Sequence, residues 1–156
     1  MRVVVCGVSG AGKSVVGRGL AERLGYPFLD ADEFHSAANK AKMSAGIPLD
    51  DSDRWPWLEA LNGALRDHPD VVMACSALKQ VYRDRLAAGI PDVRWVALVG
   101  SREVLHPRMA ARVGHFMPQS LLDSQLAAWE PPQEGITVDV ARRLEDIVEQ
   151  VVQALR

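Results

Sequence analysis

At 156 residues the chain has the length of one ordinary domain, long enough to bury a core and too short for two full ones. Its 48% apolar and 24% charged residues are the balance of a globular protein, and a formal net charge of -2 gives no field to attract nucleic acid or an anionic membrane surface. Cys6 and Cys75 each end a short apolar run, which argues against a disulfide framework. The run Val3 to Cys6 is cut off by glycine far short of a signal-peptide core, and no stretch approaches a membrane span, so the expected location is the cytoplasm.

The first predicted strand, Arg2 to Cys6, runs into Gly7-Val8-Ser9-Gly10-Ala11-Gly12-Lys13-Ser14, a complete GxxxxGK[ST] motif that opens directly into a helical pattern. Glycines let backbone N–H groups turn toward phosphate oxygens, and the helix start adds its positive end. Lys13 reaches the β- and γ-phosphates and the Ser14 hydroxyl ligates Mg²⁺. ATP and Mg²⁺ are therefore expected, with nucleotide on Gly7, Ser9, Gly10, Ala11, Gly12, Lys13 and Ser14, and Lys13 catalytic. In the helix that follows, Val16, Leu20 and Leu24 recur up to Gly25, a natural stop. Gly17 and Gly19 inside it cost about 1 kcal/mol each relative to Ala, which close packing on the sheet would explain.

A second strand, Pro27 to Asp30, leaves the sheet through Leu29-Asp30-Ala31-Asp32-Glu33-Phe34-His35. The carboxyl end of a strand is where open α/β sheets bind ligands. Asp30 is assigned to the metal side and Asp32 to the acceptor hydroxyl as a catalytic group, with helix capping the alternative use of Asp32 and simple packing the alternative for His35. A helix with Leu58, Leu61 and Leu65 on one face follows, with Asp53 as its cap and Pro56 in its first turn.

The third strand, Val71 to Cys75, gives way to Ser76-Ala77-Leu78-Lys79, with Arg83 and Arg85 further on. Lys79 and Arg83 share a helix face that would suit an anionic substrate, although helical surfaces carry such pairs constantly. After a fourth strand, Val93 to Val99, Arg108 and Arg112 share a face that is either a solvated basic surface or a pair aimed at the transferring phosphoryl group. The polar, proline-containing stretch Gly114 to Pro132 reads as a mobile lid. A fifth strand, Ile136 to Asp139, precedes a last helix carrying Val140, Leu144, Ile147, Val148, Val151 and Leu155, capped by Asp139 and reading as packing only. The alternation of strands and helices predicts a parallel sheet covered on both faces.

Taken together, GVSGAGKS, LDADEFH, the block NKAKMSAGIPLDDSDRWPWL from Asn39 to Leu58, ACSALKQVYRDRL, and GHFMPQSLLDSQLAAWEPP from Gly114 to Pro132 resemble the gluconate kinase family of P-loop sugar-acid kinases, relatives of shikimate kinase. The first motif names only a superfamily; RWPWL, CSALK and GHFMP together are highly specific. The resemblance implies transfer of phosphate from ATP to the 6-hydroxyl of D-gluconate, on an α/β P-loop kinase fold: a doubly wound five-stranded parallel sheet with a lid near residues 108–132, usually as a homodimer. It also implies that gluconate lies near Asp32, His35, Arg54, Arg83 and His115, and that Arg108 and Arg112 act from the lid, with Arg108 on nucleotide and Arg112 catalytic. As physics alone Arg54 is equally an exposed arginine at a helix start, and Met43, Trp55 and Trp57 read as wall or core. The chain departs from the family pattern at Ala31, where Gly is frequent, at Val15, where Thr is common, and at His106-Pro107, which interrupts the lid-leading helix and so affects the aim of Arg108.

Overall fold

Five strands, β1 (Arg2–Cys6), β2 (Phe28–Asp30), β3 (Val71–Ala74), β4 (Val93–Val99) and β5 (Ile136–Asp139), form one parallel sheet in the order β2-β3-β1-β4-β5. The computed structural model describes residues 1–8, 10–101, 103–105 and 120–156, so the assignments to Ser9, Arg108, Arg112 and His115 lie outside the described residues. Central strands β1 and β3 are buried almost throughout, which is why they read as unbroken apolar runs. The edge strand β5 alternates instead, with Val138 inward and Thr137 and Asp139 outward.

Among the described residues the sheet is accompanied by helices α1 (Lys13–Leu24), α2 (Ala37–Ser44), α3 (Asp51–Asp67), α4 (Gln80–Leu86), α5 (Ser120–Ala128) and α6 (Leu144–Leu155). From β1 the chain moves toward β2, then returns through β3 and crosses to β4 and β5. Right-handed crossovers therefore place α1 on one face and α3 and α4 on the other, in keeping with the packing of α6 on α1 and of α4 on α3. Neighbouring strands β1 and β3 thus send their connections in opposite directions, and the crevice at their carboxyl ends is the ligand position of a doubly wound sheet.

Both helix-cap expectations are corrected. Asp50, not Asp53, caps α3: its carboxylate accepts from Asp53 N–H at 2.8 Å, and the Asp53 carboxylate accepts from Asp50 N–H at 3.1 Å, a reciprocal box. Pro56 consequently stands in the second turn, on the exposed side where a missing backbone donor is cheap. Asp139 caps a turn rather than the last helix, accepting from Ala141 N–H at 2.8 Å. Helix α6 starts after Arg143, which leaves Val140 buried ahead of it and Leu144 40% exposed, while Ile147, Val148, Val151 and Val152 face inward. The stretch read as a lid contains α5, where Leu122 is buried and Leu126 packs on the core one turn later. The helical glycines are packing positions: a Cβ at Gly17 would meet Phe28 Cε1 at 2.6 Å, and one at Gly19 would meet Val148 Cγ2 at 3.0 Å, so Gly19 serves the contact with α6 and not the sheet.

Candidate active site

The loop between β1 and α1 has a conformation that ordinary residues resist. A Cβ at Gly7 would lie 2.7 Å from the Leu98 carbonyl oxygen, and Gly12 sits at φ 90° ahead of the first helical turn. Lys13 Nζ donates to the Val8 carbonyl at 3.0 Å, spanning the loop. Among the described residues no side chain caps α1, and its first turn holds no acid. Helix starts ordinarily recruit such groups, so this one presents N–H donors and a positive end to an anion instead.

Beside the loop, Ser14 Oγ donates to Asp30 Oδ2 at 3.0 Å. The other oxygen, Asp30 Oδ1, accepts from Asp32 N–H at 3.0 Å and caps the 3-10 turn Ala31–Phe34. Capping, the alternative use considered for Asp32, is thus the work of Asp30. A hydroxyl and a carboxylate in contact are the hard oxygen donors that suit Mg²⁺. Among the described residues no three His, Cys, Asp or Glu side chains cluster for a metal, so the rest of an Mg²⁺ shell would come from phosphate and water, as this cation prefers.

Next to Asp32 a narrow cleft opens, and its lining includes Asp32, His35, Arg54, Trp57, Ser76 and Gln125. His35 is 7% exposed and stacked on the Trp57 indole, with centroids 4.1 Å apart and planes 12° from parallel. The indole is itself tied down, its Nε1–H donating to the Ala31 carbonyl at 2.8 Å. Burial, aided by the cations Arg54 and Lys40, pulls the His35 pKa down to about 4 from an ordinary 6.5. Its neutral ring therefore stabilises the fold fully above pH 6.5, and that contribution is lost as pH falls from 6.5 toward 4. Urea titrations across this window should show the wild type losing about 2–3 kcal/mol more than His35→Gln. Parallel losses would show that the ring is not held neutral.

Arg54 is anchored by its own helix entrance. Its Nη1 donates to the Leu49 carbonyl at 2.5 Å and to Tyr82 Oη at 3.2 Å, and its guanidinium lies 5.0 Å above the Tyr82 ring. Tyr82 O–H donates to Asp51 Oδ1 at 2.6 Å; burial and that carboxylate push its pKa up to about 12, so the phenol stays protonated. Lys79 Nζ approaches the same ring at 5.9 Å.

Arg83, expected beside substrate, is not among the residues lining the cleft. It is 1% exposed, with Nη1 donating to the Ala77 carbonyl at 2.7 Å and Nη2 to the Glu130 carbonyl at 2.6 Å. Ala77 stands at φ 34°, a strained conformation for a residue with a Cβ. Arg83 thus holds the turn that carries Ser76 into the cleft. Spacing put it on a helix face with Lys79, but α4 begins at Gln80, so Lys79 stands ahead of the helix, half-buried, and Arg83 turns inward without it. The buried thiols carry no chemistry: desolvation raises Cys6 to about 12 and Cys75 higher still, so neither supplies a thiolate. Met43 and Trp57 line the cleft as wall, whereas Trp55 lies edge-on to Tyr82 outside it. Sequence reasoning passed over Asn39, Tyr82, Ser124 and Gln125; only the helical spacing of Leu122 and Leu126 could have signalled that α5 delivers the last two to the cleft.

A family model described as an AAA domain matches residues 3–132. The probable gluconokinase of Xenopus tropicalis is 44% identical over 175 residues, covering 97% of this chain and 91% of that protein. The thermosensitive gluconokinase of Escherichia coli K12 is 42% identical, covering 97% and 86%. Among solved structures, a gluconokinase from Sinorhizobium meliloti 1021 superposes with a TM-score of 0.91 at 49% identity, covering 99% of this chain and 90% of that one. Shikimate kinase from Aquifex aeolicus vf5, at 19% identity and a TM-score of 0.65, shares the fold. With a phosphate-binding loop, a carboxylate-bearing cleft beside it, and relatives of this similarity along nearly its whole length, the chain belongs to the gluconokinase family of P-loop kinases.

Proposed function

We propose that the protein transfers the γ-phosphate of ATP to the 6-hydroxyl of D-gluconate, yielding 6-phosphogluconate and ADP. The observation that carries this is the placement of one cleft between two kinds of group. Asp32 follows two residues after the carboxylate that holds Ser14, and Arg54 is anchored on Leu49 and Tyr82 in the same lining. A carboxylate beside the phosphate loop suits a hydroxyl, and an arginine suits the acid group of the same acceptor.

In this reading Lys13 leaves the Val8 carbonyl for the β- and γ-phosphate oxygens, while the first N–H groups of α1 hold the phosphates. Asp32 accepts a hydrogen bond from the attacking hydroxyl, orients it and takes up its proton as the bond to phosphorus forms. Arg54 fixes the opposite end of the acceptor, which converts binding energy into alignment. Ser14, with Asp30 acting through water, would hold Mg²⁺, which supplies neutralisation of phosphate charge. Arg108 and Arg112 belong to a lid near 108–132 that brings positive charge to the reacting phosphate, with His115 near the acceptor; a cytoplasmic homodimer completes the proposal.

The test is direct. Incubation with ATP, Mg²⁺ and gluconate should give 6-phosphogluconate by mass in step with ADP release. Faster turnover of shikimate or of a nucleoside monophosphate in the same assay would replace gluconate as the acceptor, and ATP hydrolysis without any phosphorylated polyol acid would remove the kinase assignment.

A further inference from the structure

Outside the groups that the proposed chemistry uses, one buried polar side chain makes hydrogen bonds that constrain its neighbour's protonation. Asn39, in the first turn of α2, is 6% exposed. Its Nδ2 lies 2.9 Å from the Asp53 carbonyl oxygen and 3.2 Å from His35 Nδ1. A backbone carbonyl can only accept, so the atom facing it is the amide nitrogen, and the orientation of the amide is decided by that contact. The same NH₂ group has a second hydrogen, and the second neighbour within reach is His35 Nδ1. That ring nitrogen must then accept, which leaves the proton of a neutral imidazole on Nε2.

We infer that Asn39 is a positioning residue that locks His35 in its Nε2–H tautomer, so that His35 can offer the cleft a hydrogen-bond donor and cannot offer an acceptor. The surroundings allow little escape from this state. Trp57 covers one face of the ring, the cations acting on it are Arg54 from α3 and Lys40 from α2, and Asp32 from the 3-10 turn shares the cleft lining with it. These two cations oppose protonation of Nδ1, in the same direction as burial.

A donor at His35 and an acceptor at Asp32 suit a hydroxyl, which donates to the carboxylate and accepts from the imidazole N–H. An acceptor compound lacking that hydroxyl leaves Nε2–H without a partner in a desolvated cleft, a basis for discrimination against deoxy analogues. The functional part of this inference rests on the cleft being the acceptor site, whereas the tautomer itself does not.

The experiment has two arms. Long-range ¹H–¹⁵N correlation spectra of the unliganded protein at pH 7 should show His35 with a protonated Nε2 and an unprotonated Nδ1. In Asn39→Asp the carboxylate would draw the proton to Nδ1, so the spectrum should invert. The KM for gluconate should rise roughly tenfold, the worth of one hydrogen bond, while the KM for ATP stays within about twofold. The pH profile of the gluconate KM should gain an ionisation between about pH 5 and 8 that the wild type lacks. A wild-type spectrum with Nδ1 protonated, or with both nitrogens protonated, overturns the inference without any variant. So does an Asn39→Asp enzyme whose gluconate KM and pH profile match the wild type. If gluconate is not phosphorylated at all yet the wild-type tautomer is Nε2–H, the acceptor assignment fails and the lock stands.

Discussion

Lys13→Ala should lower kcat by roughly 10³-fold or more while leaving a folded protein. In the resting loop the ammonium donates to a carbonyl of its own loop, that of Val8, from a half-exposed position. Removing one such bond costs about 1 kcal/mol, a shift in Tm of a few degrees at most. The large effect arises only when charge accumulates on the oxygens of the transferring phosphoryl group, where a fixed cation in a water-poor site acts most strongly. Steady-state kinetics beside thermal unfolding separates the two quantities. A variant retaining a tenth of wild-type turnover would show that the uncapped helix start, not the lysine, supplies most of the neutralisation.

Asp32→Asn should lower kcat by about 10²- to 10⁴-fold with little change in the KM for ATP. The substitution keeps the shape of the side chain and removes its charge, and the contact that Asp32 makes to Asp30 runs through its backbone N–H, which survives. What is lost is the acceptor for the hydroxyl proton. Asp30→Asn should behave differently, because Asp30 faces Ser14: the loss there should grow as Mg²⁺ is lowered, whereas that of Asp32→Asn should not depend on the metal concentration. Identical Mg²⁺ dependence in the two variants would show that the roles assigned to the two aspartates are not separate.

The elements that could be read from the chain are those whose physics is local. β1, β4 and β5 fall on the predicted residues: β1 is apolar from Val3 to Cys6 because it lies inside a parallel sheet, and β4 and β5 are β-branched runs bounded by turn-forming residues. The glycine loop is equally local: backbone angles, helix start and lysine all lie within eight consecutive residues, so its motif and its geometry are nearly the same statement. The contact of Asp30 with Ser14 has a related origin, since Asp30 ends the strand whose carboxyl end lies beside that loop.

Other features depended on partners far along the chain. Helical spacing put Arg83 on a face with Lys79, but only the folded neighbourhood turned the Arg83 guanidinium toward the carbonyls of Ala77 and Glu130. The exchange of capping roles between Asp50 and Asp53 hinged on where the helix began, which two aspartates three residues apart leave open until the backbone is in place. Asn39 has no signature at all, because its meaning lies in a carbonyl contributed by α3 and a ring contributed by the turn after β2. The sequence alone determined which chemistry is possible, since phosphate binding by a glycine turn requires only neighbours in the chain. Tertiary structure decided which polar side chains face the cleft, because a side chain's direction and hydrogen-bond partners are set by packing between elements that the spacing of residues does not encode.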